Sequence, residues 1–336
     1  MAAALLALLL AGVGCAASGP PSPLFHFIDP AITESSGLAV SSYDDRVLFT
    51  HNDSGDTARF FAVDAGTGAT LATYRVPGAA NVDWEDMAAA PDEAGRPSLW
   101  FADIGDNRGR RSEVTVYRVV EPRVDRGRRG VSATSTPPVR LELRYPDGPN
   151  DAEALLVDPR RGALYIATKS LARRTRVYAA RLPLSAPAVL QPVASADLGL
   201  GAAVTGGAVS PAGDRLVLRG YAEAYIWRLG AGGVPAALRR APERLRLPLL
   251  PQGESAAFRS DGALLVGSEG RHSAVYAVRL ASSRPVVTPA GSAEPQATRP
   301  APRDAPGVRL VGWVVLAALM TVAGAWLYRR RGASSG

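Results

Sequence analysis

One unit, repeated five times, constrains this chain more than any other feature. It is clearest at residues 84–107, WEDMAAAPDEAGRPSLWFADIGDN. An acidic cluster (Asp83, Glu85, Asp86) opens a short strand of small residues, and a Pro/Asp/Gly turn reverses it. An apolar strand at 99–102 then ends in a second polar cluster, Asp103, Asp106 and Asn107. Two antiparallel strands joined by a tight turn bring the start of the first and the end of the second to one edge. The two acidic clusters are therefore expected to meet.

The same order of polar start, small apolar strand, turn, apolar strand and polar end recurs at 34–53, 153–169, 205–221 and 254–269. Each unit is followed by a third apolar strand, at 60–63, 114–119, 176–182, 224–229 and 274–280. Repeats of roughly 40 to 50 residues built from short strands, with no helical period between them, predict a β-propeller. The expected fold is all-β with five blades over residues 24–282. Six blades is the alternative if the Gly/Arg/Ser-rich insertion at 123–137, read as a surface loop, hides another. Outer strands are placed at 69–76, 139–145, 189–197 and 239–247. The aromatic stretch LFHFI at 24–28 is expected to close the ring by pairing with the last blade, because an open ring leaves unpaired edges.

A chain of 336 residues that is 47% hydrophobic and 21% charged can build one large domain with appendages. Its net charge of +7 comes mainly from arginines read as solvated loop residues. The basic run at 123–129 lacks interleaved aromatics, so nucleic acid is not an expected partner. Residues 1–17 look like an export signal that lacks its basic start, which points to an upstream start codon. Cys15 sits in a degenerate lipobox; lipidation there and simple cleavage near Ala17 are both open, and cleavage would leave no thiol for disulfides or catalysis. Residues 283–307 read as a Pro/Ala-rich linker and 308–328 as a transmembrane helix, whose 310–328 stretch carries no charge. Arg329, Arg330 and Arg331 begin a cytoplasmic tail at 329–336, which places the propeller outside a single-pass cell-membrane anchor.

Aligning the repeats gathers Asn52, Asp103, Thr168, Gly220 and Ser268 into one ring at the axial mouth. Asp53, Ile104, Lys169, Tyr221 and Glu269 lie next to it. Glu34, Glu85, Glu153, Thr205 and Glu254 form a second ring, with Asp83, Asp86, Asn150 and Asp151 beside it. The expected metal ligands are Glu85, Asp103, Glu153, Asp106 and Asn107. A ligand-binding mouth is expected from His51, Asn52, Asp53, Lys169, Arg219, Tyr221, Glu254 and Glu269. Crowded carboxylates need protons, cationic partners or a bound cation. Oxygen-only ligands favour calcium or magnesium over zinc, with calcium the first choice. The competing reading makes these residues hydrogen-bonding caps and nothing more. His51 is the one histidine at the mouth, Ser54 reads as a turn residue, and no G-x-S-x-G elbow is present. No catalytic residue is assigned.

The segments ESSGLA (34–39), HNDSGD (51–56), DWEDMA (83–88), ADIGDN (102–107), NDAEALLVD (150–158) and QGESAAF (252–258) resemble a group of exported bacterial β-propellers of WD40-like type. More distantly, they are similar to the phytase-like or esterase-like propeller family. That resemblance implies calcium and phosphoester or ester hydrolysis. The chain departs from it in lacking a dense Lys/Arg set around the mouth, and no WD dipeptide closes its blades. The first expectation for function is therefore a binding module for an envelope protein or glycan, with a calcium-dependent hydrolase as the alternative.

Overall fold

The computed structural model describes residues 22–184 and 187–280. A two-residue strand, β1 (Phe25–His26), precedes blade 1, which contains β2 (Ser35–Val40), β3 (Val47–Asn52), β4 (Arg59–Asp64) and β5 (Thr70–Arg75). Blade 2 has β6 (Trp84–Pro91), β7 (Pro97–Asp103) and β8 (Val114–Val120); after β9 (Val131–Thr134) it is completed by β10 (Val139–Arg144). Blade 3 has β11 (Ala152–Asp158), β12 (Ala163–Thr168) and β13 (Arg174–Arg181); β14 (Ala188–Val189) leads to its outer β15 (Gln191–Asp197). Blade 4 has β16 (Val204–Val209), β17 (Arg215–Gly220) and β18 (Glu223–Arg228), then α1 (Gly233–Leu238) and β19 (Glu243–Arg246). Blade 5 has β20 (Gly253–Phe258), β21 (Leu264–Ser268) and β22 (Ala274–Val278). Five antiparallel blades make this an all-β, five-bladed propeller.

The inner strands β2, β6, β11, β16 and β20 each neighbour the next around the axis, and β20 returns to β2. Convergence of five backbones explains their small residues. At Gly206 a Cβ would collide with the carbonyl of Glu254 on the neighbouring inner strand. Further out, alternate faces of each strand look toward opposite neighbours. Five apolar clusters result, one between each pair of adjacent blades. The richest in aromatic rings lies between blades 1 and 2, where Phe60 stacks on Tyr74 at 4.9 Å and Trp84 on Phe101 at 5.0 Å.

Ring closure follows the expected route: β1 pairs antiparallel with β22, Phe25 opposite Val275 and His26 opposite Ala274. The bonds from Leu24 N to Val275 O (2.7 Å) and Phe27 N to Ser273 O (3.0 Å) extend that pairing. The 123–137 insertion departs from the surface-loop reading. Its β9 adds in parallel to the outer edge of blade 1 through β5, and β14 does the same for blade 2 through β10. Each covers an edge whose unpaired N–H and C=O groups would otherwise invite association. The outer strand of blade 4 is also shorter than expected, because α1 precedes it and buries Val234, Ala237 and Leu238 between blades 3 and 4. No helix among the described residues is long and apolar enough to cross a membrane. The expected export signal, linker, transmembrane helix and tail lie outside the described residues.

Candidate functional site

Every inner strand breaks register once near its first residue. The shifts fall between Ser35 and Leu38, Trp84 and Asp86, Ala152 and Ala154, Val204 and Gly206, and Gly253 and Ala256. A bulge inserts an extra residue and re-aims the side chains around it. The extra residues in blades 2, 3 and 4 are Glu85, Glu153 and Thr205, and the blade 5 bulge contains Glu254. Glu34 is not their equivalent. Ser35 pairs with Asn52 as Trp84 pairs with Asp103, so Ser36 holds the corresponding place in blade 1.

The ring at the second-strand ends forms as expected, opposite the inner-strand starts, but it does capping work. The Asn52 side-chain oxygen accepts from the N–H of Thr33 (2.9 Å) and Glu34 (3.1 Å). Asp103 accepts from Asp83 N (3.1 Å) and Ser268 from Gln252 N (3.2 Å). In all three blades the bonded donor is the residue just before the inner strand. Asp103 is also held by the Arg111 guanidinium at 2.8 Å. Asp106 receives the backbone N–H of Arg110 (2.9 Å) and Arg111 (2.8 Å), and Asn107 is exposed. These three expected ligands are therefore engaged elsewhere or turned to solvent. His51 also leaves the mouth set. It is fully buried, edge-on to Trp84 at 5.5 Å, and burial lowers its pKa to about 4, which keeps it neutral.

Glu85 and Glu153 do come together, joined by two residues that the alignment placed only beside the ring. Asp53, Asp83 and Glu85 each bring a carboxyl oxygen within 4.8 Å of the others, and so do Glu85, Asp151 and Glu153. Glu85 belongs to both triads. The overlooked signal is a shared D-x-E pattern, Asp83-Trp84-Glu85 and Asp151-Ala152-Glu153, since residues two apart share a strand face. Gly105 makes room for them: a Cβ there would collide with the carboxylates of Glu85 and Asp83. Asp151 is steadied by Asp106 N at 2.8 Å.

The electrostatics follow from burial of like charges. Burial, then Glu153, Asp53 and Asp83, push Glu85 well above the usual carboxyl range; burial and Glu269 do the same for Asp53. Glu153 is pushed up to about 7, chiefly by burial, although Lys169 opposes this. Lys169 Nζ lies 2.5 Å from Glu153 Oε1; burial lowers its pKa, but Glu153, Tyr221 and Glu254 together raise it above the usual lysine value. Glu254 is 3% exposed, and its Oε2 has no hydrogen-bond partner. Arg219 beside it is fully buried, donates to Ser255 O (2.8 Å) and Gly267 O, and is lowered to about 10 by burial. Tyr221, near Lys169 and Glu254, is pushed up to about 12 by burial and Glu254, and Glu269 receives the Gln252 amide.

Asp86, also buried, points elsewhere: its carboxylate accepts Met87 N (2.8 Å), Leu155 N (2.8 Å) and Gly207 N (3.2 Å), tying three inner strands together. What remains at the mouth is a buried well lined by carboxyl oxygens, whose donor set fits a hard divalent cation.

No family model and no curated protein matches the chain. Among solved structures it is similar to the Dos1 propeller, with 10% identity and a TM-score of 0.33 over 70% of this chain and 55% of that one. The chain thus spans about half the length of that structure. It is also similar to a gluconolactonase from Xanthomonas campestris described as important in glucose secondary metabolic pathways, with 14% identity and a TM-score of 0.43 over 72% of each chain.

Proposed function

We propose that this chain is a membrane-anchored, extracytoplasmic binding module whose axial mouth is organised by a calcium ion held by Asp53, Asp83 and Glu85. The triad supports this reading: three carboxyl oxygens within 4.8 Å of one another, with Glu85 buried, are unfavourable unless protonated or neutralised by a cation. The orphaned Glu254 Oε2 adds a further buried acceptor to the same well. Loops along the mouth edge carry Leu171, Leu200 and Leu249, exposed by 73%, 84% and 91%. They offer apolar contact to an envelope protein or glycan beside the ion.

Thermal melting of the full chain with calcium and with chelator tests the ion. Calcium should raise Tm, Glu85→Gln should abolish the rise, and indifference of the wild type to both additions would refute the reading. Protease added to intact cells should release the propeller; full protection would refute the orientation.

A hydrolytic reading shares the site, because a bound ion would also polarise a phosphoryl or carbonyl oxygen. The half-buried rim formed by Asp83 and Asp151, which leaves one side of the well open, favours it. Chelator-sensitive turnover of generic esters or phosphoesters would select hydrolysis over binding.

A further inference from the structure

Lys169 is the only lysine in a chain whose Lys and Arg together number 38. It directly follows β12, and its Nζ lies 2.5 Å from Glu153 Oε1. Glu153 belongs to the triad with Glu85 and Asp151. A second, independent feature points into the same place. Glu254 is more than nine-tenths buried, its Oε2 lacks a hydrogen-bond partner, and Glu153 is the charged group that acts on it most strongly.

An ammonium is a compact point charge with three donors, whereas a guanidinium is a planar fork. Several carboxylates converging within 4.8 Å suit the ammonium. That is a physical reason for a lysine here in a chain that otherwise uses arginine. The neighbouring triad of Asp53, Asp83 and Glu85 repeats the chemistry and shares Glu85, whereas Lys169 makes its ion pair with Glu153, which belongs to the other triad alone.

We propose that the axial well is a pair of cation sites with Glu85 as common ligand, one of them filled by the Lys169 ammonium acting as a tethered counter-ion. The protein then takes up a single free divalent ion, and removing the ammonium opens the second site to another. The first half rests on the calcium reading above; the second half does not, because it concerns the difference that Lys169 makes.

Calcium titration calorimetry on the full chain tests this. The wild type should bind one ion, Lys169→Met two, and Lys169→Met combined with Glu153→Gln one again. If the calcium reading fails, the wild type binds none, yet Lys169→Met should still gain one ion. Equal stoichiometry in wild type and Lys169→Met would overturn the proposal. Acylation of the single lysine, followed by mass spectrometry, tests it without any variant. Labelling of Lys169 should be slow and should not speed up with calcium. Acceleration by calcium would mean that the ion displaces the ammonium, and would overturn the proposal equally.

Discussion

Replacing Asp86 should be the most damaging single change near the axis that leaves the proposed ion site untouched. Its carboxylate is fully buried and receives three backbone N–H groups, from Met87, Leu155 and Gly207, on the inner strands of blades 2, 3 and 4. In Asp86→Ala all three donors are stranded where water cannot easily reach them, at about 1–3 kcal/mol each. Removing a buried group whose pKa burial raises well above normal returns part of that. The net loss is about 3–5 kcal/mol, a large share of the roughly 5–15 kcal/mol of a typical domain. Asp86→Asn keeps one oxygen for Leu155 and Gly207 but turns an NH2 toward the Met87 N–H, so it should lose about 1–2 kcal/mol. Urea unfolding in chelator, followed by circular dichroism, gives both values from midpoint and slope. A loss below about 1 kcal/mol for Asp86→Ala, or a larger loss for Asn than for Ala, would refute the argument that Asp86 ties the blades together.

Deleting residues 22–28 removes β1 with the buried rings of Phe25 and Phe27, and Phe27→Ala alone should lose about 3–5 kcal/mol. Unchanged urea midpoints would contradict ring closure by this strand. The Asp103→Ala variant, in contrast to Glu85→Gln, should keep its calcium-induced rise in Tm, because Asp103 faces Arg111 and Asp83 N rather than the triads. The pH profile in chelator should fall on the alkaline side. The folded pKa of Glu153 lies near 7 against 4.5 ordinarily, so the stability linked to its proton is complete below about 4.5 and gone above about 7. That loss is about 3 kcal/mol, and Glu85, Asp53 and Glu254 shift in the same direction. Calcium replaces the protons of Glu85 and Asp53, so its effect on Tm should be larger at pH 8 than at pH 5; the reverse order would refute the linkage.

Most of the fold was legible because each blade carries its own strand, turn and strand pattern, and hydrophobic alternation fixes register within it. What escaped the sequence were features decided between blades. The parallel additions of β9 and β14 depend on which edge is left open beside them, and neither Val131–Thr134 nor Ala188–Val189 is long enough to declare itself. Glu34 matches Glu85 by letter alone. The bulge in blade 1 sits at Ser36 and Gly37, and bulges leave no mark in residue type.

The site divides along the same line. Residues at equal depth in the repeat look alike in sequence, yet Asp103 and Glu85 separate once the bulge is known: one lies in register and caps a backbone N–H, the other is the inserted residue and turns into the well. Capping needs only local geometry, so Asn52, Asp103 and Ser268 perform it in three blades with three different side chains. Charge concentration needs several blades at once and is not repeated. Only blades 2 and 3 carry D-x-E, only blade 1 adds Asp53, and only blade 3 follows its second strand with a lysine. Departure from the repeat, rather than the repeat itself, therefore locates the chemistry. Five-fold positions build the ring, and the unequal residues of blades 1, 2, 3 and 5 gather the negative charge in it, while blade 4 contributes Thr205 and Arg219 instead.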